Sequence, residues 1–324
     1  MRAVVLRGHG DVDVLSVEEV ADPEPGPEEI AVNVVATALN RADLLQRQGA
    51  YPGPPMDPEI PGLEYSGRVA AVGPRVERWS VGDEVMGLVG GGAHASRVVT
   101  HERLALAVPD AVPLADAAAI PEVYITAYDA LVAQGGLTSG RTALVHAGAS
   151  GVGTAAILIA KAIGARIAVT CSAGKVEACR RLGADVAVDY AAEEFATAVG
   201  EWTGGVGVDV VLDVIGGEYL ERNIDVLRVQ GRIVQVGVMG EGMATFPIGK
   251  LLPKRAALIG TVLRARPIEQ KIAITQQFAA EMLPLFETGA LRPVIDSRYP
   301  LDDIAAAHTY MGSNANVGKI LIDV

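Results

Sequence analysis

The chain has 324 residues, a net charge of -12 and a composition that is half hydrophobic and only 4% aromatic. That length predicts two domains, and the excess of acidic residues argues against nucleic acid as a general partner. Ala, Val, Leu and Ile must build the cores, as they do around buried parallel strands.

The first third is rich in strand signals. RAVVL (2–6), DVLSVEE (13–19) and EIAVNVVATAL (29–39) are apolar, β-branched runs broken by Gly, Pro and Asp. A short helix is predicted over 41–48. The stretch YPGPPMDPEIPG (51–62) holds five prolines, which exclude helix and central strand. Further strands are predicted at 65–73, 83–88 and 95–100. The glycines at 90–92 read as a hairpin turn, because no helix follows them.

The rhythm changes near Pro121. A helical stretch (122–134) precedes the apolar run TALVHA (142–147). Strands at 166–171, 185–190, 208–215, 231–238 and 256–263 then alternate with apolar-periodic helices. This is the pattern of βαβ units on a parallel sheet. Past Arg266 it breaks: a long helix (268–288) leads to Pro-containing strand-like pieces and a last strand, KILIDV (319–324), expected to return to the first domain. No run reads as membrane-spanning or as a signal peptide, and Cys171 and Cys179 are too few for a disulfide framework. A reducing, cytoplasmic setting is expected. Of the five histidines, His9, His94, His101 and His308 are expected at the surface or in loops, and His146 in the core.

The segment 142–175 carries the cofactor signal. A strand ends, Gly148-Ala149-Ser150-Gly151-Val152-Gly153 turns, a helix opens, and a second strand follows. This is the context a dinucleotide site needs. Gly148 permits the turn, while Gly151 and Gly153 permit close approach of the pyrophosphate and of helix to strand. The helix N-terminus, entered through Ser150 and Val152, offers unpaired N–H groups to phosphate. Ser150 stands where the strict motif has a second glycine. An NAD site usually has an acid at the end of the second strand. Here the residues are Thr170-Cys171-Ser172-Ala173-Gly174-Lys175. Ser172 and Lys175 suit a 2′-phosphate, and Tyr190 ends the next strand, so NADPH is expected. Ile215 with Gly216, and Val238 with Met239, lie at further C-terminal strand ends, where ligands bind in such sheets.

The chain resembles the medium-chain dehydrogenase/reductase superfamily in NRADLLQRQGAYPGPP (40–55), PGLEYSGRVAAVG (61–73), VGDEVMGL (81–88), AAAIPEVYITAYDAL (117–131), HAGASGVGTAAI (146–157), LGADVAVDY (182–190) and NVGKILI (316–322). Within it the first string is most similar to the zinc-free quinone oxidoreductases, the zeta-crystallin branch. The resemblance implies an α/β protein: a GroES-like β-rich catalytic domain (1–122 and 267–324) beside a Rossmann doubly wound parallel-sheet domain (123–266) that binds NADPH. Asn40 and Leu63 stand where zinc-dependent relatives have Cys and His, and only Glu64 keeps a ligand type, so no metal is expected.

The resemblance further implies that Asn40, Tyr51 and Thr126 border nicotinamide and substrate. It places Leu263, Arg264 and Asn316 facing the cofactor. Asn40 reads equally as a helix N-cap, and Glu64 as structural. The implied activity is NADPH-dependent quinone reduction. The alternatives are an enone or enoyl-thioester reductase, and a non-catalytic NADPH-binding protein. A small-molecule acceptor is the expected partner. A homodimer is expected through the apolar last strand of the parallel sheet.

Overall fold

A computed structural model describes residues 1–324. In chain order the strands are β1 (Arg2–Leu6), β2 (Leu15–Glu19), β3 (Glu29–Ala38), β4 (Glu64–Val72), β5 (Glu84–Leu88), β6 (Arg97–His101), β7 (Ala105–Ala107), β8 (Thr142–Val145), β9 (Arg166–Cys171), β10 (Val186–Asp189), β11 (Val208–Asp213), β12 (Leu227–Gln235), β13 (Ala257–Gly260), β14 (Ile295–Pro300) and β15 (Lys319–Asp323). The helices are α1 (Arg41–Arg47), α2 (Leu114–Ala117), α3 (Pro121–Tyr128), α4 (Gly151–Ala162), α5 (Val176–Leu182), α6 (Phe195–Trp202), α7 (Tyr219–Val226), α8 (Leu251–Lys254), α9 (Ile268–Glu287) and α10 (Ile304–Gly312).

The chain divides into two compact units, Met1–Val123 with Arg264–Val324, and Tyr124–Leu263. In the first, β14-β15-β3-β4-β5-β7 form one sheet and β6 pairs with β3. The last strand β15 runs antiparallel to β3, with Leu321 opposite Ala38. Small residues allow close packing there: Ala36, Ala38, Ala118 and Ala119 cluster with Leu321. This is the β-rich, GroES-like half of the fold.

The second unit is a six-stranded sheet ordered β10-β9-β8-β11-β12-β13. Every pair in it is parallel. One core cluster is mostly aliphatic, with Leu144, Ala168, Val188, Val211 and Ile233 fully or almost fully buried around the ring of Phe195. The strand order reverses direction between β8 and β11, the switch point at which ligands bind in open α/β sheets. This is the Rossmann half.

Several elements differ from the sequence expectation. The run 13–19 begins with a single 3-10 turn, Val12–Val14, because the Asp11 side chain accepts from the Val12 N–H. The run 208–215 stops at Asp213, whose carboxylate accepts from the N–H groups of Ile215 (2.6 Å) and Gly216 (3.1 Å) and so forces a turn. Strand β12 starts four residues early, directly after α7. The predicted helix 122–134 is α3 followed by a π-helical turn, Asp129–Gln134. His308 is buried in α10, contrary to the surface-or-loop expectation; His94 lies in a loop but is buried, and His146 is in the core. No helix is long and apolar enough to cross a membrane.

Candidate active site

In the β-rich unit, Asn40 caps α1. Its backbone N–H donates to the Asp43 carboxylate at 2.7 Å. Its side chain is engaged elsewhere. Lys319 Nζ, at the start of β15, donates to Asn40 Oδ1 (2.6 Å) and to the Leu39 carbonyl (2.7 Å). The same ammonium lies 2.7 Å from Glu64 Oε1, and Asn40 Nδ2 donates to that oxygen at 2.9 Å. Glu64 Oε2 accepts from the Glu122 N–H at 2.7 Å. Lys319 and Glu64 are 3% and 0% exposed. An ion pair so dry survives only when its remaining donors and acceptors are met, and here they are.

The chemistry also fixes the amide. Lysine only donates and carboxylate only accepts, so Oδ1 must face Lys319 and Nδ2 must face Glu64. Two of the positions implied for metal ligands, Asn40 and Glu64, are thus bound to the Lys319 ammonium, and no group of three His, Cys, Asp or Glu side chains is arranged to hold an ion. Sequence reasoning missed Lys319. Its only signal was a lysine at the head of an otherwise apolar terminal strand.

The Pro-rich loop is tied down by Arg264. Its Nε donates to the Gly90 carbonyl (2.7 Å), Nη2 to Gln46 Oε1 (2.8 Å), and its guanidinium carbon lies 4.9 Å from the centre of the Tyr51 ring. Burial pushes the Tyr51 phenol above its ordinary value, with Arg264 opposing, so the phenol keeps its proton at neutral pH. Arg264 is therefore used within the unit, in holding Tyr51. Asn316 is buried and donates to the Gly318 carbonyl, one residue before Lys319.

In the Rossmann unit, the glycine-rich turn follows β8. Ala147 adopts a positive φ of 56°. A Cβ on Gly153 would lie 2.4 Å from the Ala147 carbonyl oxygen, and one on Gly148 would lie 2.5 Å from Val169 Cβ. Side chains at either place would push turn, helix and strand apart. Ser150 caps α4, its hydroxyl accepting from the Gly153 N–H at 3.1 Å. That cap explains how the motif tolerates serine. Gly151 and Val152 form the first turn of the twelve-residue α4, whose early N–H groups have no partner inside the helix. A turn this bare, opening a helix at the switch point, fits a dinucleotide pyrophosphate.

The other predicted cofactor residues collect at the same edge. Ser172 and Lys175 bracket a single 3-10 turn after β9, and Tyr190, largely exposed, follows β10. Asp189 is paired with Cys171, which brings these two strand ends together. Gly216 has φ 73°, and a Cβ there would sit 3.3 Å from Val238 Cγ1. The Met239 N–H donates to the Val214 carbonyl at 2.9 Å, joining Ile215–Gly216 to Val238–Met239. Leu263 closes this unit, and Thr126 is buried on α3.

A second network missed at the sequence level supports those ends. Asn223 Nδ2 donates to Asp213 Oδ2 (2.9 Å), which turns Asn223 Oδ1 to His146 Nε2 at 2.7 Å. His146 Nδ1 is 3.0 Å from Thr170 Oγ1. Nε2 therefore carries the proton and Nδ1 accepts from the threonine. Burial pushes the His146 pKa down, with Asp213 and Asn223 opposing, so the ring is neutral.

A family model described as zinc-binding dehydrogenase matches residues 182–322, and one described as alcohol dehydrogenase GroES-like domain matches residues 26–110. A phenolphthiocerol/phthiocerol polyketide synthase of Mycobacterium tuberculosis is 33% identical over 97% of this chain, which spans only 14% of that protein. Quinone oxidoreductase-like protein 2 of Bos taurus is 32% identical, over 96% of this chain and 89% of its own length. Among solved structures, the Escherichia coli quinone oxidoreductase complexed with NADPH superposes with TM-score 0.90 at 29% identity, covering 100% of both chains. The JamJ enoyl reductase superposes with TM-score 0.89 at 26% identity, over 99% of this chain and 98% of its own.

Proposed function

This chain belongs to the medium-chain dehydrogenase/reductase superfamily of oxidoreductases, in its zinc-free quinone oxidoreductase branch, and from that premise we propose that it is an NADPH-dependent quinone reductase. The observation that carries the proposal is the Asn40–Glu64–Lys319 cluster, in which Asn40 and Glu64, two of the three positions implied for metal ligands, are tied to a lysine ammonium. Without a Lewis acid of the protein's own, the acceptor must itself be electron-poor, as a quinone is.

NADPH, when bound, supplies the reducing equivalents. Gly148, Ser150, Gly151, Val152 and Gly153 would receive its pyrophosphate. Ser172, Lys175 and Tyr190 would receive the adenosine 2′-phosphate. Ile215, Gly216, Val238, Met239 and Leu263 would flank the ribose and nicotinamide, with Arg264 and Asn316 completing the contacts. The absence of a carboxylate from 170–175, together with Lys175, favours NADPH over NADH. Asn40 and Thr126 would orient the acceptor and the nicotinamide. Tyr51 keeps its proton and stands ready to give it to a reduced acceptor oxygen. Strand β13 lies at the sheet edge, with Leu258 47% exposed, and suits pairing in a cytoplasmic homodimer.

Enone reduction is the rival, favoured by the likeness to an enoyl reductase. The deciding experiment follows loss of the reduced-nicotinamide absorbance with NADPH and NADH, in EDTA, with an ortho-quinone and a medium-chain enone. Rapid NADPH oxidation with the quinone, slow with NADH, is expected. Enone turnover without quinone turnover would replace the proposal with the rival. Binding of NADPH without either activity would leave a non-catalytic protein.

A further inference from the structure

His94 lies in the loop between β5 and β6 and is wholly buried. Its backbone is fixed on both sides. The N–H donates to the Pro61 carbonyl at 3.0 Å, and the carbonyl accepts from the Val4 N–H at 2.8 Å. Gly62 has φ 101°, and a Cβ there would lie 2.4 Å from the His94 main-chain nitrogen and 2.7 Å from Nδ1. Only glycine at 62 lets the histidine come so close.

The ring stands between two groups that shape the candidate site. Thr37 Oγ1 donates its one proton to the Glu64 carbonyl at 2.6 Å. Towards His94 Nδ1, 3.1 Å away, that oxygen can then only accept, so Nδ1 carries a proton. Nε2 lies 3.6 Å from Asp43 Oδ2, beyond hydrogen-bond length but within reach of an ion pair when the ring is protonated. The same Asp43 oxygen accepts from the Asn40 N–H at 2.7 Å, and Asp43 Oδ1 accepts from the Gly62 N–H at 3.2 Å. One face of the chain of contacts thus ends on the Glu64 backbone and the other on the Asn40 backbone.

We propose that His94 is a positioning residue that fixes the backbone of Asn40 against that of Glu64 and so holds the Asn40 amide in place for the acceptor. The inference rests on the reading of Asn40 as a residue that orients the acceptor. The β3–β4 ladder ends at the Thr37–Tyr65 pair, so Asn40 lies past its last rung. Yet Asn40 Nδ2 must still meet Glu64 Oε1 at 2.9 Å. Lys319 fixes the ends of those two side chains. The Thr37–His94–Asp43 chain fixes the backbones that carry them. Both ties are needed, because a hydrogen bond weakens steeply when its donor turns away from line.

The test uses the full chain with Thr37→Val, which keeps the branched shape and removes the hydroxyl, and His94→Leu, which removes both arms. The reading is taken from whichever variant circular dichroism shows to be folded. Thr37→Ser restores the hydroxyl without the methyl group. Protein labelled with 15N-asparagine shows the side-chain amide of Asn40 among only five asparagines. It is recorded without nucleotide. Steady-state kinetics with NADPH and an ortho-quinone then separate kcat from KM. In Thr37→Val and His94→Leu the Asn40 amide resonances should move while those of Asn223, in the Rossmann unit, stay. Their kcat should fall about five- to ten-fold, as for the loss of one orienting hydrogen bond, with the KM for NADPH within about two-fold of wild type. Thr37→Ser should bring back both the resonances and kcat, although it leaves a methyl-sized gap. Unmoved Asn40 resonances, an unchanged kcat, or a Thr37→Ser variant as impaired as Thr37→Val would each reduce His94 to a packing residue and overturn the inference. A wild type that turns over no quinone strikes down the reductase reading instead, and the Asn40 resonances then decide the clamp by themselves.

Discussion

The two units hold their candidate site residues by different means. In the β-rich unit, Asn40 is gripped by a fully buried ion pair, Lys319–Glu64, with every bond drawn from a side chain or a nearby backbone group. In the Rossmann unit, the turn at Ile215–Gly216 is shaped by one carboxylate, Asp213, which is itself braced by a neutral amide and a neutral imidazole. The first arrangement positions a side chain and collapses if one charge is lost. The second positions backbone and loses only hydrogen bonds when trimmed.

The largest expected effect tests that difference at the ion pair. Lys319→Met leaves Glu64 charged, dry and short of its cation, at a cost of about 3–5 kcal/mol in folding stability. Adding Glu64→Gln removes the stranded charge. The double variant should recover more than half of the loss in chemical denaturation, yet its kcat should stay at least about ten-fold below wild type, because Asn40 has lost the donor that fixed its amide. Recovery of both stability and kcat would make Lys319 a purely structural residue and erase the contrast.

The matching change in the Rossmann unit is Asp213→Ala. It frees the Ile215 and Gly216 N–H groups and leaves Asn223 without its acceptor. A loss of about 2–3 kcal/mol in stability is expected, smaller than for Lys319→Met, with the NADPH Kd raised about ten-fold or more. Equal damage from the two variants would show that the units do not differ in kind. A smaller effect should come from Lys175→Ala: NADPH affinity falls about ten-fold while NADH affinity is unchanged, read by parallel titrations. A fall with both nucleotides would remove Lys175 from the 2′-phosphate site.

The fold class was legible because its signals are local. The apolar runs 142–147 and 166–171, with the glycine turn and helix between them, specify a strand–turn–helix–strand unit without any distant partner. Gly148 and Gly153 are needed for contacts with residues that the motif itself supplies or that lie on the adjacent strand. Asn40 and Glu64 were legible as positions of interest only through the family resemblance. Their shared partner was not, because Lys319 lies 279 residues beyond Asn40 and no periodicity links them. Asp213, His146 and Asn223 were hidden for the same reason: a carboxylate that ends a strand and an imidazole that braces it look, in sequence, like ordinary polar residues in apolar runs. The burial of His94 and of His308 was hidden because a lone histidine among alanines carries no sign of it.

The buried histidines give the most selective comparison. In the Rossmann unit both nitrogens of His146 have partners, whereas in the β-rich unit neither nitrogen of His308 has one. Burial pushes His308 down to about 3 from 6.5, with Asp43 opposing and His94 and Arg47 adding. A histidine depressed in this way binds its proton more readily when unfolded. Its contribution to stability is therefore complete above about pH 6.5, the unfolded value, and drains away as pH falls towards 3, the folded one. Between pH 6.5 and about pH 5 the loss from this one group is about 2 kcal/mol. His308→Leu should flatten the fall by that amount while leaving stability near neutral pH within about 1 kcal/mol, since neither ring nitrogen gives up a hydrogen bond. Urea denaturation of both proteins across that range reads the difference directly. Parallel curves would mean that protonation is taken up elsewhere, on the carboxylates or on His146, and that the unpartnered ring in the β-rich unit is no more sensitive to acid than its hydrogen-bonded counterpart.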